Sequence, residues 1–121
     1  MLEVAYQELN LMQVLDILRD GGVARVALCQ GGRPYVVPMA FQLEVAGAQP
    51  ILHLASPAAG RKMTILRGND RVCLEVERTS CAWIDTVIIE GRAEAGAAVQ
   101  GGVLWRVVPQ RITGRRFFLP A

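Results

Sequence analysis

The chain has 121 residues, of which 52% are hydrophobic and 20% are charged, and its net charge is +2. This predicts one domain over residues 1–121 and excludes a disordered chain, because enough apolar surface is available to offset chain entropy. Its apolar runs fall far short of the about 18–20 residues of a membrane span. Met1 to Glu3 lacks the basic start of a secretory signal, so we expect a cytoplasmic protein that binds no membrane.

The first predicted elements are a helix and a hairpin. Apolar residues recur at helical spacing over residues 7–20, and Gly21-Gly22 supplies a stop. Two runs with strand-like alternation, 23–30 and 33–45, flank Gly31-Gly32, which is typical of a β-hairpin. Pro38 lies inside the second run. Because proline has no N–H to donate to a strand ladder, Pro38 marks a place where this strand leaves regular pairing and where a ligand can approach the backbone.

A turn over 46–49 leads to a short strand over 51–56. Ser56 and Pro57 are typical of a helix start, with serine as the N-cap and proline in the first helical position. This predicts a helix that ends at about Arg67 and is capped by Gly68.

The second half of the chain reads as β-structure. The expected strands are 71–79, which alternates apolar and polar residues, 82–95, which is broken at Gly91, and 103–113, which Gly114 ends. About six antiparallel strands and two helices predict a mainly β fold, a small barrel with helices covering its ends.

Scarcity of reactive residue types excludes several chemistries. His53 is the only histidine, which rules out a two-histidine zinc site within one chain, and we expect no metal. Cys29, Cys73 and Cys81 show no CxxC spacing and indicate reduced thiols, the first two as small buried hydrophobes. No Ser–His–Asp arrangement surrounds Ser56. The mild charge and the few scattered aromatic residues argue against nucleic acid.

Lys62 is the only lysine, and it follows Arg61 in the first turns of the second predicted helix. A helix N-terminus presents unpaired N–H groups and partial positive charge. With a guanidinium fork and an ammonium group added, it becomes a phosphate receptor. The alternative is that both are ordinary solvated helix residues.

Four segments in order resemble the FMN-binding split β-barrel family related to pyridoxamine 5′-phosphate oxidase, in its nitroimidazole-resistance-like branch. They are GGVARVALCQGGRPYVVPMAF (21–41), the Gly-Arg-Lys segment followed by NDRVCLEVE (69–77), CAWIDTVIIEGRAE (81–94) and LWRVVPQRITGRR (104–116). The resemblance covers residues 8–116 and implies a split-barrel flavoprotein.

The resemblance also implies how FMN is bound. By this resemblance Arg61 and Lys62 bind the FMN phosphate, as the matching Arg-Lys pair does in the family, and the strand carrying Pro38 is expected along the isoalloxazine ring. FMN lies between two subunits of a homodimer in this family, so a partner chain is implied. The remaining residues assigned to the cofactor by resemblance are Val37 and Met39 at the ring, Ala55 and Ser56 near the ribityl chain or phosphate, and Trp83 and Trp105 as candidates from the second subunit. Each tryptophan has an alternative role as a core or interface aromatic.

The sequence departs from the family at two places. The branch usually has a histidine where this chain has Ala55, and His53 lies two residues earlier, on the same strand face. His53 therefore has two readings, a structural histidine or a substrate-facing residue. Only residues 96–102 stand where the family often has a helical insertion, which predicts an open substrate pocket.

The resemblance implies a small FMN-dependent oxidoreductase that takes electrons from NAD(P)H or another donor and acts on an unidentified small molecule. No protein residue is assigned as catalytic. The alternative is a non-catalytic flavin-, deazaflavin- or haem-binding protein.

Overall fold

The computed structural model describes residues 5–120, which form seven strands and two helices. In chain order the elements are β1 (Tyr6–Glu8), α1 (Leu11–Asp20), β2 (Val23–Gln30), β3 (Arg33–Ala46), β4 (Gln49–Ser56), α2 (Arg61–Gly68), β5 (Arg71–Thr79), β6 (Trp83–Val99) and β7 (Gly102–Phe118). The mainly β class predicted from the sequence is confirmed.

The strands form one antiparallel sheet in the order β1-β7-β4-β3-β2-β5-β6, and β6 also pairs with β7, so the sheet closes into a barrel. Alternate residues of each strand point inward and form the core, as the period of two requires. Buried members include Val26, Leu52, Leu74, Ile89 and Val107. No helix in residues 5–120 is long and apolar enough to cross a membrane.

Helix α1 covers one end of the barrel and packs against β5, β6 and β7. Asn10 and Gln13 form a reciprocal capping box at its start. The predicted helix over 7–20 was therefore too long at its N-terminal side. Residues 6–8 pair with the end of β7 instead, which adds a seventh strand to the six expected.

Helix α2 begins four residues later than the Ser56-Pro57 signal predicted. Ser56 is buried as the last residue of β4, opposite Val103, and its hydroxyl donates to the Pro57 carbonyl at 3.0 Å. The side chain is thus engaged by the strand and cannot cap the helix. Gly60 is the N-cap instead, and Gly68 is the last helical residue rather than the cap.

Two glycines predicted to interrupt strands lie within them. At Gly91 the β6–β7 register shifts by a bulge, and β6 continues. Gly114 pairs with Val87, and a Cβ there would lie 2.6 Å from Val14 Cγ2. Its lack of a side chain allows α1 to pack closely on β7, so Gly114 serves packing rather than termination.

Candidate functional site

The barrel has an opening beside β3. Strand β4 pairs with β3 only from Phe41 to Ala46, whereas β2 pairs with residues 33–40. Within the described chain, the other edge of residues 36–39 therefore has no strand partner. We call this segment the open β3 edge, and it contains Val37, Pro38 and Met39. Because alternate backbone N–H and C=O groups of an antiparallel strand point away from its one partner, here β2, some of these groups face the open side.

The side chains of the open β3 edge point in different directions. Met39 is buried in the core, Val37 is half-buried, and Pro38 is exposed on the outer face. Only the backbone of Met39 is therefore available to a ligand at this edge. The break in strand pairing that Pro38 predicted is present on the side of β3 that faces away from β2, where β4 no longer pairs with it.

The N-terminus of α2 carries an uncapped set of donors. Gly60 has φ 124° and ψ 179°, a conformation that is essentially restricted to glycine, and no side chain caps the helix. Arg61 is exposed and Lys62 is half-buried. Within residues 5–120 neither cation forms an ion pair with a carboxylate. Unpaired N–H groups and two unpaired cations suit a phosphate dianion.

Tyr35, for which no role was predicted, joins these two features. The Arg61 guanidinium carbon lies 4.3 Å from the centre of the Tyr35 ring, a cation–π contact that positions Arg61 over β3. Tyr35 stands two residues before Val37 on the same face of the strand. That spacing was the sequence signal that could have identified it.

Ala55 and Ser56 end β4 on a shallow cavity of about 250 Å³, shared with the turn between β6 and β7. Gly102 approaches so closely that a Cβ there would lie 2.1 Å from the Ser56 carbonyl oxygen. The β6–β7 hairpin, whose turn lies in the short 96–102 segment, therefore packs on the end of β4. Ala55 is exposed and Ser56 is buried.

His53 is half-buried on β4, and its Nε2 lies 3.2 Å from Glu44 Oε1 on the neighbouring strand. This contact suits the structural reading of His53. Because His53 and Ala55 are two residues apart on one strand, they share a face, as expected. A substrate-facing role stays a prediction.

The two tryptophans lie in different environments. Trp105 is 5% exposed, and its ring N–H donates to the Met63 sulfur at 3.0 Å, so it packs beneath α2. Trp83 starts β6 opposite Phe118, with the Arg116 guanidinium 4.4 Å from its ring centre. The structure does not bring Trp83 to the β4 end within one chain. Contact of either tryptophan with a cofactor stays a prediction.

A charged cluster borders Pro38 on the outer face. Arg25, which pairs with Pro38 across β2 and β3, places Nη1 2.9 Å from both Glu75 and Glu77. Burial raises the pKa of Glu75, whereas the hydrogen bond from Arg25 lowers the pKa of Glu77. The cluster therefore places one basic and two acidic side chains beside the open β3 edge.

Asp85 and Glu90 face opposite sides of β6, so they form no acid–base pair. Asp85 is fully buried and accepts two hydrogen bonds from Arg116, at 2.7 and 3.0 Å. These hydrogen bonds hold the pKa of Asp85 below its ordinary value. Arg78 joins Asp85 to Asp20 of α1, so this network ties the helix to the barrel.

The fold matches solved structures over nearly the whole chain. An FAD-binding protein from Mesorhizobium loti has 21% identity and a TM-score of 0.81, with 95% of this chain and 98% of that chain covered. A candidate 5-nitroimidazole antibiotic resistance protein from Bacteroides thetaiotaomicron has 20% identity and a TM-score of 0.82, with coverages of 98% and 91%. An FAD-binding protein from Mycobacterium smegmatis has 23% identity and a TM-score of 0.75, with coverages of 93% and 99%. These likenesses define the split-barrel class.

The family model described as pyridoxamine 5′-phosphate oxidase matches residues 12–96, more than half of the chain. The chain therefore belongs to the pyridoxamine 5′-phosphate oxidase family, as the sequence resemblance indicated. Among curated proteins no sequence matches significantly.

Proposed function

We propose that this protein binds FMN and acts as a small flavin-dependent oxidoreductase. The observation that carries the proposal is the uncapped N-terminus of α2, where Arg61 and Lys62 have no carboxylate partner in the described chain, beside the open β3 edge. Family membership supports a flavin, and two structural neighbours are FAD-binding proteins. FMN is the proposed form because its terminal phosphate matches a compact receptor of one helix end and two cations.

Different residues would bind different parts of the cofactor. Arg61, positioned by Tyr35, would hold the phosphate through its planar fork, and Lys62 would add a point charge. Backbone groups of residues 37–39 would bind the ring edge, and Ala55 and Ser56 would lie near the ribityl chain. The flavin supplies hydride or electron transfer when bound. The chain itself would bind, orient and shield the ring.

The proposal includes a homodimer with the flavin between subunits. Val23 is 58% exposed and Val36 is 59% exposed, and both lie on the outer sheet face that also carries Pro38. A second copy would cover these apolar side chains. It would also explain how Trp83, which starts β6 at the end away from β4, could reach a flavin. Analytical ultracentrifugation of the purified chain tests the dimer, and a monomer at micromolar concentration with flavin bound would contradict it.

Cofactor identity is tested on the purified protein by its visible spectrum and by chromatography of the material released on denaturation. We expect a yellow protein, or a colourless one that takes up added FMN, and release of FMN. Release of FAD would contradict the choice of FMN. A Soret band, or failure to take up any flavin, would overturn the flavin proposal.

The phosphate assignment is tested by Arg61→Ala and Lys62→Ala. Each should weaken FMN binding by about 1.5–3 kcal/mol, the range for hydrogen bonds to charged groups. Arg19→Ala, which removes the same charge from α1, is the matched control and should bind FMN normally. Fluorescence titration measures the affinities, and circular dichroism checks folding. Unchanged FMN affinity in both site variants would refute the assignment.

Turnover is tested separately from binding. Under anaerobic conditions we expect NADH or NADPH to bleach the flavin absorbance of the loaded protein. If neither reduces it, the chain is a flavin carrier or uses another donor, and the proposed NAD(P)H-dependent activity is wrong. His53→Ala is the variant that tests the substrate-facing prediction, because bleaching should persist while turnover of an identified substrate falls.

A further inference from the structure

The loop that joins β4 to α2, residues 57–60, has carbonyl groups that are bonded by side chains of the protein. The Ser56 hydroxyl donates to the Pro57 carbonyl at 3.0 Å. Arg67 Nη2 donates to the Ala58 carbonyl at 3.2 Å. Two successive loop carbonyls are therefore held by donors of the chain itself and are not free to face a ligand.

The N–H groups of the same loop have no such partners. Among residues 5–120, no protein group accepts a hydrogen bond from the N–H of Ala58, Ala59 or Gly60. The Gly60 carbonyl, in contrast, accepts from the Thr64 N–H at 3.1 Å and from the Thr64 hydroxyl at 3.2 Å. The loop therefore offers backbone donors and withholds backbone acceptors, which is the arrangement that an anion requires.

The hydrogen bond from Arg67 fixes the direction of one of these free donors. In a trans peptide unit the C=O and the N–H of the next residue point in opposite directions, and the Ala58–Ala59 bond is trans. Because Arg67 holds the Ala58 carbonyl, the Ala59 N–H points to the side away from Arg67. The Ser56 hydroxyl orients the Ala58 N–H in the same way, through the Pro57 carbonyl.

Arg67 lies in the last turn of α2, where a basic side chain ordinarily interacts with the final carbonyls of its helix. Its guanidinium instead reaches back along α2 to the loop that precedes the helix. Within residues 5–120 it has no carboxylate partner, so the bond to Ala58 is its one polar contact there. The side chain is therefore committed to the orientation of this loop.

We propose that Arg67 is a positioning residue for the cofactor phosphate, and that it acts through the Ala58–Ala59 peptide unit. The N–H groups of residues 58–60 bind the phosphate together with Arg61, Lys62 and the first N–H groups of α2. Arg67 itself does not touch the phosphate. This inference rests on the proposed function, because it concerns the same phosphate group.

The test compares FMN with riboflavin, which lacks the phosphate, by fluorescence titration of the full chain. Arg67→Met removes the donor and keeps most of the side-chain length. It should lower the ratio of FMN affinity to riboflavin affinity by about fivefold, which is less than the loss of a whole hydrogen bond to a charged group. The riboflavin affinity should stay within about twofold of the parent value, because riboflavin makes no phosphate contact.

Two further variants complete this comparison. Arg67→Lys keeps a cationic donor and should restore most of the preference for FMN. Arg19→Met changes the arginine in the last turn of α1, and as the matched control it should keep the affinity ratio of the parent chain. Circular dichroism checks that each variant is folded.

A second measurement separates the position of the loop from the charge of Arg67. In amide NMR spectra of isotope-labelled protein, the Ala59 N–H resonance should lie further downfield in the FMN complex than in the riboflavin complex, because a hydrogen bond to phosphate deshields the proton. In Arg67→Met saturated with FMN this difference should shrink. If Arg67 acted only through its charge, the affinity would fall but the Ala59 resonance of the FMN complex would stay where it is in the parent chain.

The outcomes distinguish this inference from the proposed function. An Arg67→Met variant that keeps the FMN preference of the parent chain, or whose Ala59 resonance in the FMN complex is unchanged, would overturn the positioning role of Arg67 alone. A parent chain that binds riboflavin as tightly as FMN, or binds neither, would overturn the phosphate receptor of the proposed function and this inference with it.

Discussion

Asp85→Asn is expected to destabilise the fold more than any other single isosteric change of a carboxylate in the described chain. Asp85 is fully buried and accepts from Arg116 Nε at 2.7 Å and Nη2 at 3.0 Å, with Arg78 Nη2 at 3.4 Å. Removing one partner of a buried pair costs about 3–5 kcal/mol. The Arg116 side chain is 26% exposed, so water solvates part of it in the variant. We therefore expect the lower end, about 3 kcal/mol.

Urea unfolding at pH 7 measures this difference, and a thermal midpoint lower by about 10 °C should accompany it. Asp16→Asn is the matched control. Asp16 lies 3.4 Å from Arg78 but its side chain is 69% exposed, so its loss should cost less than about 1 kcal/mol.

The pH dependence gives a second readout of the same contact. Hydrogen bonds from Arg116 lower the pKa of Asp85 in the folded state, so folding favours the carboxylate. The stabilisation is therefore fully present above the ordinary pKa of about 3.9 and is lost as the pH falls through the lowered value. The stability gap between the parent chain and Asp85→Asn should narrow below about pH 4. A gap that stays constant from pH 7 to pH 3, or a cost equal to that of Asp16→Asn, would refute the reasoning.

Two glycine substitutions test the backbone conformation at the start of α2 and the packing of α1 on the barrel. Gly60→Ala should cost about 1–3 kcal/mol in urea unfolding, because φ 124° is nearly closed to other residues. Gly22→Ala, where an added Cβ meets nothing within 4 Å, is its control and should be close to neutral. Gly114→Ala should lower the thermal midpoint, because its Cβ would lie 2.6 Å from Val14 and 3.1 Å from Leu9. Parent-like stability of Gly114→Ala would show that α1 shifts at no cost.

The sequence pattern correctly predicted the elements whose structure depends mainly on residues close together in the chain. The hairpin over 23–30 and 33–45 and the strand over 71–79 are confirmed almost residue for residue, because alternation and the Gly31-Gly32 turn are contained within each segment. The paired cations at Arg61 and Lys62 were visible for the same reason. Their neighbour Tyr35 was not, because the two partners of the cation–π contact are 26 positions apart in the chain.

Errors arose where a local signal competed with a partner distant in the chain. Ser56 has the side chain of a helix cap, but pairing with Val103 holds it in β4. Residues 7 and 8 fit a helical period, but the end of β7 pairs with them. Asp85 and Arg116 are unremarkable in their own segments, and only the closure of β6 on β7 makes them a buried pair.

By itself, the sequence determined the β class, the hairpin, the family and the pair of cations that suit a phosphate, because periodicity and short motifs are carried by neighbouring residues. Only the tertiary structure decided the open β3 edge, the start of α2, the Asp85 network and the half-buried positions of Cys29 and Cys73, which were predicted to be buried core residues. Each depends on which strands pair and where their pairing stops, and that is set by contacts between residues far apart in the chain.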